Sequence, residues 1–456
     1  MNLIGQGQPD AALTGEQIET IVARLADRIA ADGKRILVLI PDQTRSCPLG
    51  LIVRLLHKHI ANRADKLDFL IALGTHQPLD EARIDSLLGM AGGQRDRLLS
   101  GSSVFNHDWK NPGALKTIGR LTADRVAEIT GGRFSMDVDV TINRRVFDYD
   151  LVLVAGPVFP HEVAGFSGGE KYFFPGICGQ ELLDFFHWLG AVITCPRVIG
   201  VKDTPVRRTL QAAGEMLPVP TAALSMVVAP LCDTGKMGAT HNSVVRVPDL
   251  QGQRSGSMGE TPMPQLTGLF AGSLRDSWSA AADLSAKVHI RYVQTPYQSV
   301  LARAPEMYDD LWVAAKCMYK MEPVMADGGE LIIFAPHVKE ISYTHGHIIR
   351  KIGYHTLEYF LAQWDRFKDY PWGVLAHSTH VKGIGTYDTA GHESPRIRVT
   401  LATGIDEATC RAVNLGYRDP ATINPAHWQD RPGHLYIPKA GETLYRLKNP
   451  PAWQTF

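Results

Sequence analysis

Three short apolar runs, each followed at once by polar and turn-forming residues, constrain the fold more than any other feature of the sequence. They are RILVLI at 35–40, LDFLIALG at 67–74 and DLVLVAGP at 150–157, with helix-like segments between them. A short run that is apolar throughout is typical of a strand covered on both faces, as in a parallel sheet flanked by helices. The sequence therefore predicts an α/β fold with a largely parallel sheet.

A second set of strand-like runs predicts another α/β unit later in the chain. These runs are ELIIFAP at 330–336, GVLAHST at 373–379 and RIRVTLA at 396–402. Before them lie a polar stretch at 251–265, which has the composition of a loop, and a helix-like segment at 278–290. Because 456 residues exceed one ordinary core, we predict two α/β domains with the active site in the cleft between them. Their predicted bounds are residues 1–284 and 285–420, with residues 421–456 packing back on the first domain.

The charge and cysteine content exclude several classes of function. The 47 basic and 47 acidic residues balance, so no net field draws the chain toward nucleic acid or anionic lipid. Six cysteines are scattered without a CxxC pair, as in a reduced cytosolic protein. The first residues lack the pattern of a signal peptide, and no apolar stretch approaches the roughly 20 residues of a membrane helix. We therefore expect a cytoplasmic protein that acts on a small molecule.

Polar residues that follow the apolar runs predict a common site. Asp42 and Arg45 follow the first run, His76 follows the second, and His161 and Lys171 follow the third. In open α/β sheets, ligands bind beyond the carboxyl ends of the strands. The predicted fold therefore brings these residues to one rim, although more than a hundred positions separate them in sequence.

Taken singly, these residues allow both functional and structural roles. Arg45 suits bidentate binding of a carboxylate but also an ordinary surface salt bridge, and Asp42 suits a local turn. The Ser167-Gly-Gly segment before Lys171 lacks the adjacent Gly-Lys of a P-loop, which argues against a nucleotide triphosphatase. Its turn amides suit a single phosphate, or they form a plain tight turn with a surface lysine.

The histidines are also ambiguous on their own. His161 begins an HE pair, but Gly165 stands where the zincin motif HExxH needs its second histidine. It remains an acid–base candidate at a strand end, or a structural histidine. His187 lies in the apolar helix-like segment 180–191, where it needs a hydrogen-bond partner or a metal. Two further groups have no spacing that singles out a metal, and a role in the pocket is favoured over a zinc site. They are His337, His345 and His347, and His377 with His380.

Together these elements resemble the nickel-dependent lactate racemase family, whose members are nickel-pincer nucleotide enzymes. Asp42-Gln-Thr-Arg45 is similar to the DxTR motif of that family, and Gly74-Thr75-His76 to its second histidine segment. The stretch from Pro160-His161 through Gly165-Phe-Ser-Gly-Gly to Lys171 and Phe174-Pro-Gly176 resembles its longest motif. The resemblance extends over roughly residues 35–200 and is looser beyond.

The resemblance implies a covalently bound nickel-pincer nucleotide, pyridinium-3-thioamide-5-thiocarboxylic acid mononucleotide, whose two sulfur atoms and one ring carbon hold nickel. It implies that Lys171 carries this cofactor through a thioamide and that His187 completes the nickel coordination. The first domain would then be the cofactor-binding domain. The other implied cofactor contacts are Asp42, Thr44, Ser167, Gly168 and Gly169.

The resemblance also implies an isomerase that inverts the carbinol carbon of a 2-hydroxy acid. His76 and His161 would flank the substrate as general acid–base groups, and Arg45 and Lys316 would hold its carboxylate. Hydride would leave the carbon for the cofactor while a histidine takes the hydroxyl proton, which gives a planar 2-keto acid. Return of hydride to the opposite face inverts the centre.

Two departures from the family pattern indicate a substrate other than lactate. Glu170 stands where the family often has a basic residue, and Trp312-Val313 stand where lactate racemases have Tyr-Gln. We expect a larger or more polar 2-hydroxy acid, for example a sugar acid such as an aldonate epimerised at C2. Two alternatives stay open. They are a Schiff-base enzyme that uses Lys171 without nickel, and a non-catalytic protein that binds the cofactor or a sugar acid.

Overall fold

Two mostly parallel β-sheets with helices around them form the protein, as seen in a computed structural model that describes residues 1–229 and 264–456. Residues 251–263 of the predicted loop lie outside the described residues. This architecture confirms the predicted α/β class with parallel sheets. No helix among the described residues has the length and apolar character needed to cross a membrane.

The strands are given first, because their carboxyl ends position the site. They are β1 (Ile4–Gly7), β2 (Arg35–Ile40), β3 (Lys66–Ile71), β4 (Val104–Asn106), β5 (Leu115–Leu121), β6 (Val138–Asn143), β7 (Leu151–Pro157), β8 (Pro160–His161), β9 (Gly165–Phe166), β10 (Thr221–Val228), β11 (Leu266–Gly272), β12 (Ile290–Val293), β13 (Tyr297–Arg303), β14 (Met325–Ala335), β15 (Gly385–Tyr387), β16 (Glu393–Pro395), β17 (Arg398–Thr403), β18 (Gly416–Tyr417), β19 (His434–Ile437) and β20 (Leu444–Leu447).

The helices vary from single turns to four turns. They are α1 (Gly15–Arg28), α2 (Leu49–Ile60), α3 (Glu81–Leu87), α4 (Gln94–Leu98), α5 (Ala123–Thr130), α6 (Gln180–Ile193), α7 (Cys195–Val198), α8 (Pro205–Gly214), α9 (Leu274–His289), α10 (Leu311–Ala314), α11 (Lys316–Tyr319), α12 (Gly346–Ile352), α13 (Leu357–Ala362), α14 (Trp364–Phe367), α15 (Trp372–Lys382) and α16 (Glu407–Ala412). A short 3-10 turn, Gly169–Tyr172, carries the candidate cofactor lysine.

The first sheet has seven strands in the order β1-β11-β10-β7-β2-β3-β4. The five strands from β10 to β4 are parallel. At one edge β11 pairs antiparallel with β10, and β1 pairs antiparallel with β11. Burial on both faces explains why the first run is apolar throughout. In β2, Ile36, Val38 and Ile40 pack into the core beneath α1 and α2, whereas Leu37 and Leu39 pack into the core beneath α6 and α8.

The second sheet has five parallel strands in the order β18-β17-β14-β13-β19. Two of its strands match the predicted runs at 330–336 and 396–402. The third prediction was wrong, because residues 373–379 lie in helix α15. Every residue of α15 from Gly373 to Val381 is buried, so the helix shows no apolar face and its sequence resembles a buried strand.

The end of the chain contacts both halves of the molecule. Strand β19 belongs to the second sheet, so the prediction that the whole of 421–456 packs back on the first domain was wrong for this strand. Further on, Arg446 donates to the carbonyl of Ile199 at 2.9 Å, and Arg197 donates to the carbonyl of Trp453 at 3.3 Å. The predicted boundary at residue 284 falls inside α9.

Candidate active site

A cleft enclosing about 1290 Å³, counting the part open to solvent, lies where the two halves meet. The carboxyl ends of the adjacent parallel strands β7, β2 and β3 form its floor, as expected for an open α/β sheet. The cleft brings together ten of the eleven predicted site residues, and Gly169 is the exception. Those ten are Asp42, Thr44, Arg45, His76, His161, Ser167, Gly168, Lys171, His187 and Lys316. Residues that sequence reasoning did not single out line the cleft with them.

An Asp–His pair stands after β2 and β3. The Nδ1 of His76 makes a very short hydrogen bond to Asp42 Oδ2, and Asp42 Oδ1 accepts from the Thr44 hydroxyl at 2.7 Å. Burial alone would raise the pKa of Asp42, but His76, Arg45 and Thr44 outweigh it and hold this pKa well below its usual range. The ionised carboxylate fixes the proton of His76 on Nδ1, so Nε2 carries a lone pair that can accept a proton.

His161 is held in the opposite tautomer. Its Nδ1 accepts the backbone N–H groups of Val163 at 3.1 Å and Ala164 at 3.3 Å, so the ring proton sits on Nε2. That nitrogen lies 3.5 Å from Oε1 of Glu162. Burial, reinforced by Lys171 and other cations, places the pKa of His161 well below 6.5, so the ring is neutral. Of the two histidines predicted to act on the hydroxyl, His76 is therefore a proton acceptor and His161 an N–H donor.

Lys171 is a half-buried amine that lines the cleft. Burial and the neighbouring charge of Arg45 lower the pKa of Lys171 to about 8, partly offset by Glu162. A substantial fraction of such an amine is neutral near pH 8, and only the neutral form is a nucleophile. The position therefore fits covalent attachment of a group that enters the cleft.

The turn before Lys171 is shaped by two glycines with positive φ, 83° at Gly168 and 61° at Gly169. A side chain at Gly168 would meet Val158 at 2.6 Å, and one at Gly169 would meet Trp278 at 3.0 Å. Gly168 lines the cleft. Gly169 instead packs against Trp278 behind the turn, which corrects its predicted place among the cleft residues. The hydroxyl of Ser167 stabilises the turn itself, because it donates to the carbonyl of Pro157 at 3.1 Å.

Arg207 of α8 holds this turn from behind, and sequence reasoning missed it. Its fully buried guanidinium donates to the carbonyls of Ala164, Phe166 and Gly168 and lies 3.4 Å from Glu170. Glu170, which departs from the family pattern, is therefore the counter-charge of this arginine. No sequence signal near Arg207 marks the role, because α8 lies more than thirty residues beyond the turn.

Replacement of Arg207 by methionine should destabilise the protein. The change leaves Glu170 as a buried, unpaired charge and removes the donors of three carbonyls, so we expect a loss of about 3–5 kcal/mol in the free energy of unfolding. Urea unfolding measures the loss. The adjacent Arg208→Met is the matched control, since its exposed pair with Asp203 should contribute about 1 kcal/mol or less. Equal effects of the two substitutions would contradict the assigned role.

His187 is set as a single neutral ligand. Its Nδ1 donates to the carbonyl of Leu183 one turn earlier in α6, at 2.7 Å, which leaves the lone pair on Nε2. Burial lowers the pKa of His187 to about 3 despite that hydrogen bond, so the ring stays unprotonated at neutral pH. Within residues 1–229 and 264–456, no group of three or more His, Cys, Asp or Glu side chains is placed to hold a metal. A single imidazole ligand is too few to hold a metal by protein side chains alone. Together with the half-buried amine of Lys171, it suits a metal that is already coordinated by an organic cofactor.

Two cations converge on the carbonyl of Thr44. Arg45 donates to it at 3.1 Å from Nη1, and Lys316 donates to it at 3.1 Å from Nζ. Burial and the charge of Arg45 place the pKa of Lys316 well below 10.5. A carboxylate bound between these groups would satisfy both charges.

The second half of the chain supplies the opposite wall. Trp312 of α10 stacks on His377 of α15 with ring centroids 3.8 Å apart, and it lies 4.6 Å from the ring of His345. His380 lines the cleft as well, so three of the five unassigned histidines belong to it. Of the other two, His337 bonds to the carbonyl of Tyr308 and His347 is exposed, and neither lines the cleft.

Asp184 joins the two walls. Its Oδ1 accepts the backbone N–H of Gly373 at 2.8 Å, which links α6 to the first turn of α15, and burial raises the pKa of Asp184 to about 6. Glu162 is a second acidic group of the cleft that sequence reasoning did not assign. Its position beside His161 in the motif was the available signal.

Sequence comparison places the first half of the chain among lactate racemases. Residues 15–198 match the family model of the lactate racemase N-terminal domain. A lactate racemase from Thermoanaerobacterium thermosaccharolyticum is 28% identical over 162 residues, 35% of this chain and 33% of that protein. A lactate racemase from Lactiplantibacillus plantarum is 26% identical over 189 residues, 39% of this chain and 40% of that protein. The matches thus span between a third and two fifths of these relatives.

Structural comparison extends the similarity to nearly the whole chain. A crystal structure of a Thermotoga maritima protein aligns with a TM-score of 0.82 and 31% identity, over 97% of this chain and 100% of that one. The lactate racemase apoprotein of Thermoanaerobacterium thermosaccharolyticum aligns with a TM-score of 0.65 over 94% of this chain and 93% of that one, and its 18% identity supports the shared fold alone. Residues 15–198, which hold most of the motif residues gathered in the cleft, thus belong to the lactate racemase N-terminal domain family, and the chain as a whole shares the fold of a lactate racemase.

Proposed function

We propose that the protein is an isomerase that inverts the carbinol carbon of a 2-hydroxy acid with a nickel-pincer nucleotide bound at Lys171. The observation that carries the proposal is the presence, in one cleft, of a half-buried amine, a neutral imidazole ligand, and two histidines in opposite tautomers. When bound, the nucleotide would supply the acceptor for the hydrogen that leaves the carbon as hydride. Lys171 would hold it covalently and His187 would complete the nickel coordination.

The side chains of the cleft divide the remaining work. Arg45 and Lys316 bind the substrate carboxylate and so fix the carbinol carbon relative to the two histidines. A hydroxyl that faces His76 gives its proton to Nε2, and Asp42 stabilises the imidazolium that forms. When the oxygen of the 2-keto acid faces the other side, the Nε2–H of His161 donates a hydrogen bond to it and stabilises the negative charge that develops as hydride returns to the carbon. The alkoxide then takes up the proton that His76 received, which restores the hydroxyl and the neutral His76.

The substrate is proposed to be more polar than lactate. Trp312 and Val313 line the cleft at the positions where the sequence departs from the lactate racemase pattern, and three histidines share that wall. A sugar acid inverted at C2 suits this wall better than a methyl group does. We expect the partner to be this small molecule and the protein to act in the cytoplasm.

Turnover of a panel of 2-hydroxy acids tests the proposal. Protein purified from a host that makes the nucleotide should convert at least one acid of the panel into its C2 epimer. The same preparation should carry the added mass of the nucleotide and about one nickel per chain. Loaded protein that inverts no acid of the panel would contradict it.

A lysine Schiff-base enzyme remains the second candidate, because a lysine pKa of about 8 suits imine formation equally well. Borohydride distinguishes the two. Reduction in the presence of a 2-keto acid should leave Lys171 unmodified by the keto acid if the nucleotide occupies it, and a trapped keto acid on Lys171 would favour the Schiff base.

A further inference from the structure

One wall of the cleft has hydrogen-bonding groups that the reaction at C2 does not use. We call it the tail wall, and it is formed by Trp312, Tyr319, His345, His377 and His380. These residues come from four separate segments of the second half of the chain, and all line the cleft. These residues are therefore available to contact the part of the substrate that extends away from the reacting carbon.

The hydrogen bond between Tyr319 and His377 fixes the tautomer of the histidine. Tyr319 Oη lies 2.9 Å from His377 Nδ1, and burial keeps the pKa of Tyr319 well above 10, so the phenol retains its proton. Nδ1 of His377 is the acceptor that the described residues offer to this buried proton, so the phenol donates to Nδ1. His377 then carries its own proton on Nε2.

The Nε2–H of His377 is an unused donor. His377 is only 5% exposed, and its Nε2 is buried without a hydrogen-bond partner among the described residues. The Nε2 of His380, one turn further along α15, is also buried without a hydrogen-bond partner among these residues. Leaving a buried polar group unpaired is unfavourable, and two such nitrogens in one wall of a cleft indicate a ligand with hydrogen-bonding groups of its own.

The charge of the tail wall selects the kind of group that it binds. Burial lowers the pKa of His345 and of His380 to about 4 and that of His377 well below 6.5, so all three rings are neutral near pH 7. A second carboxylate would call for a cation, and both cations that bind a carboxylate stand at Thr44. Neutral donors and acceptors beside the face of Trp312 suit hydroxyl groups on a carbon chain.

We propose that the tail wall is a subsite for a polyhydroxylated tail, in which the Nε2–H of His377 donates to a hydroxyl oxygen beyond C2. The inference rests on the proposed function and narrows it from 2-hydroxy acids in general to aldonate-like acids. Trp312 packs against the C–H groups of the tail, and His377 donates a hydrogen bond to one of its hydroxyl oxygens.

The test compares acids that share a chain length. Gluconate and 2-hydroxyhexanoate both have six carbons, but only gluconate has hydroxyls beyond C2, and malate replaces the tail hydroxyls by a second carboxylate. Loaded wild-type protein should prefer gluconate over 2-hydroxyhexanoate and malate in kcat/KM by about a hundredfold or more. His377→Phe, which keeps a ring to stack on Trp312, should lower kcat/KM for gluconate about ten- to a hundredfold. It should change the value for 2-hydroxyhexanoate less than about threefold.

Two further variants guard against a purely structural effect. His377→Gln retains an N–H near the position of Nε2 and should recover part of the lost kcat/KM for gluconate. The exposed His347→Phe should leave all values unchanged. The nucleotide mass on the Lys171 peptide should be the same in every variant.

The outcomes separate the two proposals. An equal loss for both acids in fully loaded His377→Phe, or a wild-type preference for malate or 2-hydroxyhexanoate, would overturn the subsite while leaving the isomerase intact. Loaded wild-type protein that inverts none of these three acids but inverts another acid of the panel would also overturn the subsite alone. Loaded wild-type protein that inverts no acid of the panel would contradict the proposed function, and the subsite with it.

Discussion

Replacement of Lys171 by methionine should abolish both the covalent nucleotide and the turnover of any 2-hydroxy acid. The methionine fills nearly the same space in the buried turn but has no amine, so nothing can form the thioamide. Since the amine is the only proposed point of attachment, we expect a loss in kcat on the order of 10⁴- to 10⁶-fold, as for removal of a covalent catalyst. Intact mass, nickel content and epimer formation on one preparation measure it.

The control for Lys171→Met is a lysine outside the cleft. Lys202 lies at the surface, where it pairs with Asp283 at 2.8 Å. Lys202→Met should keep the nucleotide mass, the nickel and the turnover. Full turnover by Lys171→Met in a preparation without bound nucleotide would contradict the assignment of the amine.

Replacement of His76 by glutamine should lower kcat without removing the cofactor. Glutamine can still bond to Asp42 but cannot take up a proton, so the loss should be about 10²- to 10⁴-fold. KM should change far less, because the carboxylate contacts of Arg45 and Lys316 remain. Steady-state kinetics of protein with the nucleotide mass confirmed on Lys171 measure both constants.

Two comparisons sharpen the test of His76. Asp42→Asn keeps the shape of the pair but removes the charge that orients the imidazole, so we expect an intermediate loss in kcat. His57→Gln, on the surface of α2, should have no effect. A kcat of His76→Gln close to that of wild type would mean that another group takes the hydroxyl proton.

The sequence predicted the rim of the first sheet well because Asp42, His76 and His161 each come shortly after an apolar strand. The runs that end before Asp42, His76 and His161 became the neighbouring strands β2, β3 and β7, so proximity followed from the fold class. The orientation of the two histidines was beyond sequence reasoning. It depends on which ring nitrogen meets Asp42 and which meets the backbone of Val163, and only coordinates give that.

The second half was harder to predict for a different physical reason. Helix α15 is buried on all sides, so His377 lies in a run without helical periodicity, residues 373–379, which was predicted to be a strand. Arg207 supports the turn before Lys171 from a separate helix, and no local pattern connects the two. Burial and long-range pairing decide both cases, and neither is encoded in the spacing of nearby residues.

The fate of the hydrogen at C2 tests the central claim most directly. An acid that the loaded protein inverts is prepared with deuterium at C2 and incubated in ordinary water, and the epimer is analysed by mass spectrometry and NMR. If the hydrogen leaves and returns as hydride within the closed cleft, the epimer should retain the deuterium. An epimer in which solvent hydrogen has replaced the deuterium would show that the carbon is deprotonated by a side chain, and it would contradict the account.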